Sequence, residues 1–129
     1  YKANYEEPKE LDFPNEYLDI MRKGMYDVSY AQKGTASKHI NSQITIASKT
    51  GTAQVVSIPQ SEKVRMKESE LQYFQRSHAW ITTYGPFKNP QYVVTVLEEH
   101  GGHGGEAAGE ITSKIYNKLY ELGYITSKE

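Results

Sequence analysis

The chain has no cysteine among its 129 residues. That removes disulfide and thiolate chemistry and leaves the compartment open. It also lacks a long apolar run, since nothing approaches the ~20 residues that a membrane-spanning helix needs. Neither sign of charge is in excess. Fifteen basic residues stand against sixteen acidic ones, with a sequence pI of about 6.5. That balance argues against a nucleic-acid or membrane-surface binder. Hydrophobic content is 37% and mean hydropathy is -0.71, polar for a globular domain, yet the length suffices for one domain and one core. No signal peptide is recognisable, and the chain opens on Tyr1-Lys2-Ala3-Asn4-Tyr5 without a methionine. It therefore reads as a piece of a longer protein, with any targeting or anchoring segment upstream.

Residues 1–13 are charged around Pro8 and read as a connector, leaving 14–129 as the folded unit. Pro14-Asn15-Glu16 reads as a helix start with proline in the first turn. Leu18, Met21, Met25 and Val28 follow at three- and four-residue steps and predict one apolar helical face ending near Ser29 or Tyr30. A turn over Gln32–Ala36 leads to an extended approach with alternating Ile44 and Ile46. Ser57–Ser77 reads as a long loop, with one helical turn around Glu68–Tyr73. Ser77–Tyr84 and Gln91–Leu97 read as two strands joined by a short Gly-Pro turn, hence an antiparallel hairpin. The second of them is apolar on both faces, which suits a central strand covered on both sides. A glycine-rich turn over 98–105 then opens a helix from about Glu106. Its expected stripe is Ala108, Ile111, Ile115, Leu119 and Leu122, with Gly123 as its C-terminal stop. The order predicts an α+β fold in which helices flank an antiparallel sheet.

Chemistry concentrates in Ser48-Lys49-Thr50-Gly51-Thr52-Ala53-Gln54-Val55-Val56. The β-branched residues favour a strand. Alternation puts Lys49, Gly51 and Ala53 on one face, and Thr50 and Thr52 on the other. Gly51 packs nothing and costs backbone entropy, so its place in a strand suggests that another group approaches the backbone closely. A cation, two hydroxyls and a bare backbone suit the holding of an anionic substrate along a strand edge.

Three segments, in order and at rough spacing, resemble one family: Lys49-Thr50-Gly51-Thr52-Ala53-Gln54, His78-Ala79-Trp80, and Val94-Thr95-Val96-Leu97-Glu98-Glu99-His100-Gly101-Gly102. The turn Gly34-Thr35-Ala36 adds to them. Together they look like the C-terminal part of a class B penicillin-binding protein of the penicillin-binding protein 2 type, the K-T-G triplet being that family's third motif. The resemblance covers roughly residues 14–122. It implies the last three strands and C-terminal helix of a penicillin-binding-protein/serine β-lactamase-like transpeptidase fold. It also implies a peptidoglycan D,D-transpeptidase that cross-links stem peptides through a serine acyl-enzyme, is a target of β-lactams, and works at the periplasmic face of the bacterial inner membrane. No Ser is followed three residues later by Lys, and no Ser-x-Asn occurs. The nucleophile, its lysine and the middle serine are thus expected in an absent upstream half of the domain, with the anchor and two further strands. This chain alone is expected to be inactive.

By the same resemblance, Lys49 supplies positive potential and orients the substrate carboxylate. Thr50 and Thr52 hydrogen-bond that carboxylate, and Gly51 gives room for the substrate backbone. The Thr52 N–H completes an oxyanion hole, a donor worth ~3–4 kcal/mol of barrier. Implied partners are stem peptides, β-lactams, the upstream half and the cell-elongation machinery, with no nucleic acid and no cofactor. Plainer readings stand beside these. Trp80 reads as core, and His78 as a structural hydrogen-bonder rather than a base. His100 and His103 with Glu99 complete no metal-ligand set, since zinc takes three or four protein ligands. The charged run 61–70 reads as a solvated loop, with a lid over the groove as the alternative. Three other functions stay open: a non-catalytic penicillin-recognising sensor or scaffold, a serine β-lactamase, and an unrelated Gly/His-rich domain.

Overall fold

A computed structural model describes residues 6, 7, 9, 10, 12–55, 67, 70–103 and 105–129. Seven of the thirteen residues of the expected connector, the first part of the Ser57–Ser77 loop and most of the 61–70 run with its lid alternative lie outside them. Helix α1 spans Asn15–Tyr30, strand β1 Ala47–Ala53, β2 His78–Gly85, β3 Tyr92–Glu98 and helix α2 Ala107–Glu121. The strands form one antiparallel sheet in the order β1-β2-β3, with Gly51 opposite Trp80 and Ile81 opposite Val96. A 3-10 turn at Tyr73–Gln75 precedes β2, slightly later than the sequence suggested.

Helix α1 begins after Pro14, whose ring presets φ and whose missing N–H is not needed there. Its last turns make the packing contacts. Ser29 and Ser48 share a buried hydroxyl–hydroxyl bond of 2.7 Å, and the Ile46 N–H donates to Tyr30 OH at 3.0 Å. The expected apolar face is only partly covered: Val28 packs into the core and Leu18 and Met25 are half-buried, but Met21 is 63% exposed.

The core lies between β2, β3 and α2. Ala36, Ile81, Val96 and Ala108 form one buried cluster, and Ile44, Ile46, Tyr116 and Ile125 another; Ile40 and Val94 touch both. Along β2 the period-two rule is visible: Ala79, Ile81, Thr83 and Gly85 are buried. The stripe of α2 differs from the sequence expectation. Ile111 is 39% and Leu122 59% exposed, while Thr112 and Tyr116 are fully buried. The polar atoms of these two are satisfied, which permits their burial. Thr112 Oγ1 donates to Ala108 O, and the Tyr116 hydroxyl donates to Tyr92 O and meets Thr83 Oγ1. Gly123, at φ 79°, ends the helix. Its N–H and that of Tyr124 bond to Tyr120 O and Leu119 O, a Schellman closure.

The other face of the sheet is covered at Ala47 and Tyr84, where Phe87 stacks on the Tyr84 ring, and is largely exposed elsewhere among the described residues. Trp80 is 39%, Val93 72% and Leu97 44% exposed. Among the described residues Trp80 is thus not covered, and β3 has a single partner strand, β2. Alternation turns these side chains away from α2, and no described element covers them. No helix among the described residues is long and apolar enough to cross a membrane.

Burial raises the pKa of Tyr30, Tyr84 and Tyr116 above the ordinary tyrosine value. A phenol of raised pKa binds its proton more tightly folded than unfolded. Its contribution is fully present below pH ~10 and is lost as pH rises through the folded value. Denaturation midpoints are expected to hold between pH 7 and 9 and to fall above pH ~10. A midpoint unchanged at pH 11 would contradict this.

Candidate functional site

Strand β1 is paired on one edge only among the described residues, by β2. Its middle residues open onto a cavity of ≈ 490 Å³ beside that free edge. Thr50 and Thr52 line it from the strand, Thr35 and Ser37 from the turn after α1, and His103 and Glu106 from the turn before α2. Lys33, Lys38 and His39 complete its rim.

Local sequence explains how these pieces meet. The turn after α1 folds back on the helix, with Ala36 N–H donating to Val28 O and Ser37 Oγ to Gly34 O. A side chain at Gly34 would overlap the Asp27 and Val28 carbonyls. This close return brings Thr35 Oγ1 to 2.9 Å from Thr50 Oγ1. From the other side the chain at Gly105 lies directly on the Thr35 carbonyl, leaving no room for a Cβ. Three segments far apart in the chain thus converge on Thr35.

The alternation expected for β1 holds. Thr50 and Thr52 share the cavity side, and Lys49 is not among the lining residues. The Lys49 side chain is exposed, with Nζ donating to Thr50 O at 2.6 Å. At Gly51 an added Cβ would sit 3.4 Å from Trp80 Cβ, an ordinary contact. Packing within the chain therefore does not demand glycine there. Chemically the cavity offers four hydroxyls and two ammonium groups against one carboxylate, a donor-rich surface suited to an anion.

His78 and His100 lie off this cavity, at the end of β1 where Ala53 pairs with His78. The His78 ring accepts the His100 N–H, the structural role read from the sequence. His103 does reach the cavity, so the two turn histidines part company. Sequence reasoning passed over Thr35, His103 and Glu106 as site residues. The Gly34-Thr35-Ala36 turn and the glycine spacing before α2 were the available signals.

The family model of the penicillin binding protein transpeptidase domain matches residues 2–120. The chain belongs to the penicillin-binding protein transpeptidase family. Curated relatives include the peptidoglycan D,D-transpeptidases MrdA of Haemophilus influenzae and Acinetobacter baumannii. The first is 38% identical over 98 residues, 75% of this chain and 15% of the relative. The second is 40% identical over 109 residues, 84% of this chain and 15% of the relative. Among solved structures, penicillin-binding protein PBP2 of Helicobacter pylori in complex with MreC aligns with a TM-score of 0.72 at 43% identity, over 85% of this chain and 18% of that one. PBP2 of Pseudomonas aeruginosa, in complex with WCK 5153, aligns at 0.63 and 28% identity, over 84% and 20%. The chain thus spans less than a fifth of the length of these curated relatives. The transpeptidase-domain match runs through both helices and all three strands, so the cavity lies wholly within family fold.

Proposed function

We propose that the chain acts as the C-terminal portion of a peptidoglycan D,D-transpeptidase domain, residues 14–129, with 1–13 as a connector. One observation carries the proposal: Thr50 and Thr52, on a strand with a free edge, open with Thr35 onto a donor-rich cavity within the family fold. In this reading Lys49 and Thr52 are catalytic, and Thr50, Gly51 and Thr52 bind substrate. A serine from the upstream half attacks the penultimate D-Ala carbonyl of a stem peptide. The C–N bond to the terminal D-Ala breaks, and the amine of a second stem peptide resolves the acyl-enzyme, splitting one hard step into two. Thr50 and Thr52 hold the terminal carboxylate, the Thr52 N–H meets the oxyanion, and Gly51 leaves the strand open to the substrate backbone. The intrachain room at Gly51 supports that role, since its own fold does not require a glycine there.

The exposed sheet face at Trp80, Val93 and Leu97, with the outer edge of β3 unpaired among the described residues, gives the upstream strands and helices a surface to complete. The assembled protein works at the periplasmic face of the inner membrane, held by an upstream anchor, and binds β-lactams at the same site. The MreC complex of the H. pylori protein supports elongation-machinery partners.

The test is labelling of the full-length protein by a fluorescent penicillin, read by intact mass. A stoichiometric, long-lived adduct is expected, with no adduct on residues 14–129 alone. Rapid deacylation would make the protein a β-lactamase. An unlabelled full-length protein would overturn the acylating reading in favour of a scaffold.

A further inference from the structure

His100 is the single non-glycine residue with positive φ, 55°, among the described residues. That conformation carries strain and persists only where surrounding contacts impose it. Here they are specific. The His100 N–H donates to His78 Nδ1 at 2.9 Å. The His100 Nδ1 lies 3.0 Å from Arg76 O, and a carbonyl only accepts, so that nitrogen carries a proton. His78 Nδ1 is the acceptor of the His100 N–H and carries no proton. The two rings stand 4.7 Å apart, and Tyr73 and Phe74 close over His100 at 5.0 and 5.6 Å. Gly102 N–H donates to Ser77 O at 2.9 Å. The turn after β3 is thus fastened to the start of β2 at both 100 and 102. His103, the next residue, lines the Thr50–Thr52 cavity, as do Gly105 and Glu106.

We infer that His78 and His100 are positioning residues that hold His103, Gly105 and Glu106 on the α2 side of the substrate cavity; this rests on the transpeptidase reading above. Neither ring touches the cavity. The His78 Nδ1 acceptor fixes the backbone at His100, shortly before His103, while Gly105 lies against the Thr35 carbonyl.

The test compares His78→Leu with His78→Asn in the full-length protein. Asparagine offers Oδ1 near the place of Nδ1. Penicillin acylation is split into the dissociation constant of the initial complex and the acylation rate constant at pH 7.5, alongside melting temperatures. For His78→Leu a rise of about tenfold or more in the dissociation constant is expected at pH 7.5, with a smaller change in the acylation rate. His78→Asn is expected to restore binding to within about threefold. Wild-type binding by the Leu variant would overturn the inference, as would an Asn variant no better than Leu. If the Leu variant does not fold, the Asn variant decides: a folded Asn variant whose dissociation constant rises about tenfold or more refutes the role of the His78 acceptor. A wild type that never labels would instead sink the transpeptidase reading and this inference with it.

Discussion

Lys49→Ala in the full-length protein is expected to abolish acylation by a β-lactam and to leave the melting temperature of the domain unchanged. The two halves of this expectation have different sources. Stability is insulated because the Lys49 side chain is exposed, and its bond is to the neighbouring Thr50 carbonyl. Exposed polar replacements of this kind shift stability by about ±0.5 kcal/mol or less. Acylation is not insulated, because the role proposed for Lys49 is electrostatic. Donors aimed at developing charge typically contribute 10²–10³-fold in rate each, and an ammonium on the K-T-G strand belongs with them. A loss of at least about 10²-fold in the second-order labelling rate is expected. The geometry makes this a sharp test. Thr50 and Thr52 face the cavity and Lys49 projects from the opposite side of the strand. Wild-type labelling by Lys49→Ala would mean that the cavity side alone carries substrate recognition, and that the upstream half meets β1 from the Thr50 side.

Much of this fold was legible because local rules operated without competition. Pro14 starts α1 and Gly123 stops α2, in the manner that a fixed φ and a left-handed φ respectively dictate. Alternation placed Thr50 and Thr52 together and away from Lys49, and Ile44 and Ile46 in the core. The failures have one physical theme. Apolarity says that a side chain should be covered, not by what. The apolarity of Trp80, Val93, Leu97 and Met21 suggests covered faces, but among the described residues these side chains are exposed. Conversely, Thr112 and Tyr116 looked too polar for the buried stripe of α2. They are buried because β3 and the helix itself offer carbonyls to their hydroxyls. The site was half legible for a related reason. A strand motif can be read from nine residues. The meeting of Thr35, Thr50 and Gly105 depends on two glycine-only backbone approaches between distant segments, which no local pattern encodes.

Tyr116→Ala is expected to be the most damaging core replacement. Tyr116 is fully buried among Ile44, Ile46 and Ile125. Its ring lies so close to Gly85 that a Cβ there would come within 2.9 Å of Cε1, so the backbone of β2 is shaped to the ring. Removing the ring leaves a cavity that strand and helix cannot close, and large-to-small aromatic losses of this kind cost ~3–5 kcal/mol. Tyr116→Phe keeps the ring and loses only the hydroxyl. Thr83 Oγ1 still donates to Val94 O at 3.0 Å, so the expected cost is ~1 kcal/mol. The Phe variant is also expected to lose part of the stability decline above pH ~10, since one buried phenol no longer titrates. Urea unfolding followed by Trp80, the single tryptophan, measures all three quantities. If Ala and Phe cost the same, the hydroxyl rather than the ring holds α2 to the sheet. If neither costs more than about 1 kcal/mol, α2 is not the helix that closes this core. The consequence reaches the site, because Glu106 and Gly105 enter α2 directly from the cavity wall. A helix that detaches takes that wall with it, so the Ala variant is expected to lose penicillin labelling in step with its folded fraction, and Tyr116→Phe to retain it.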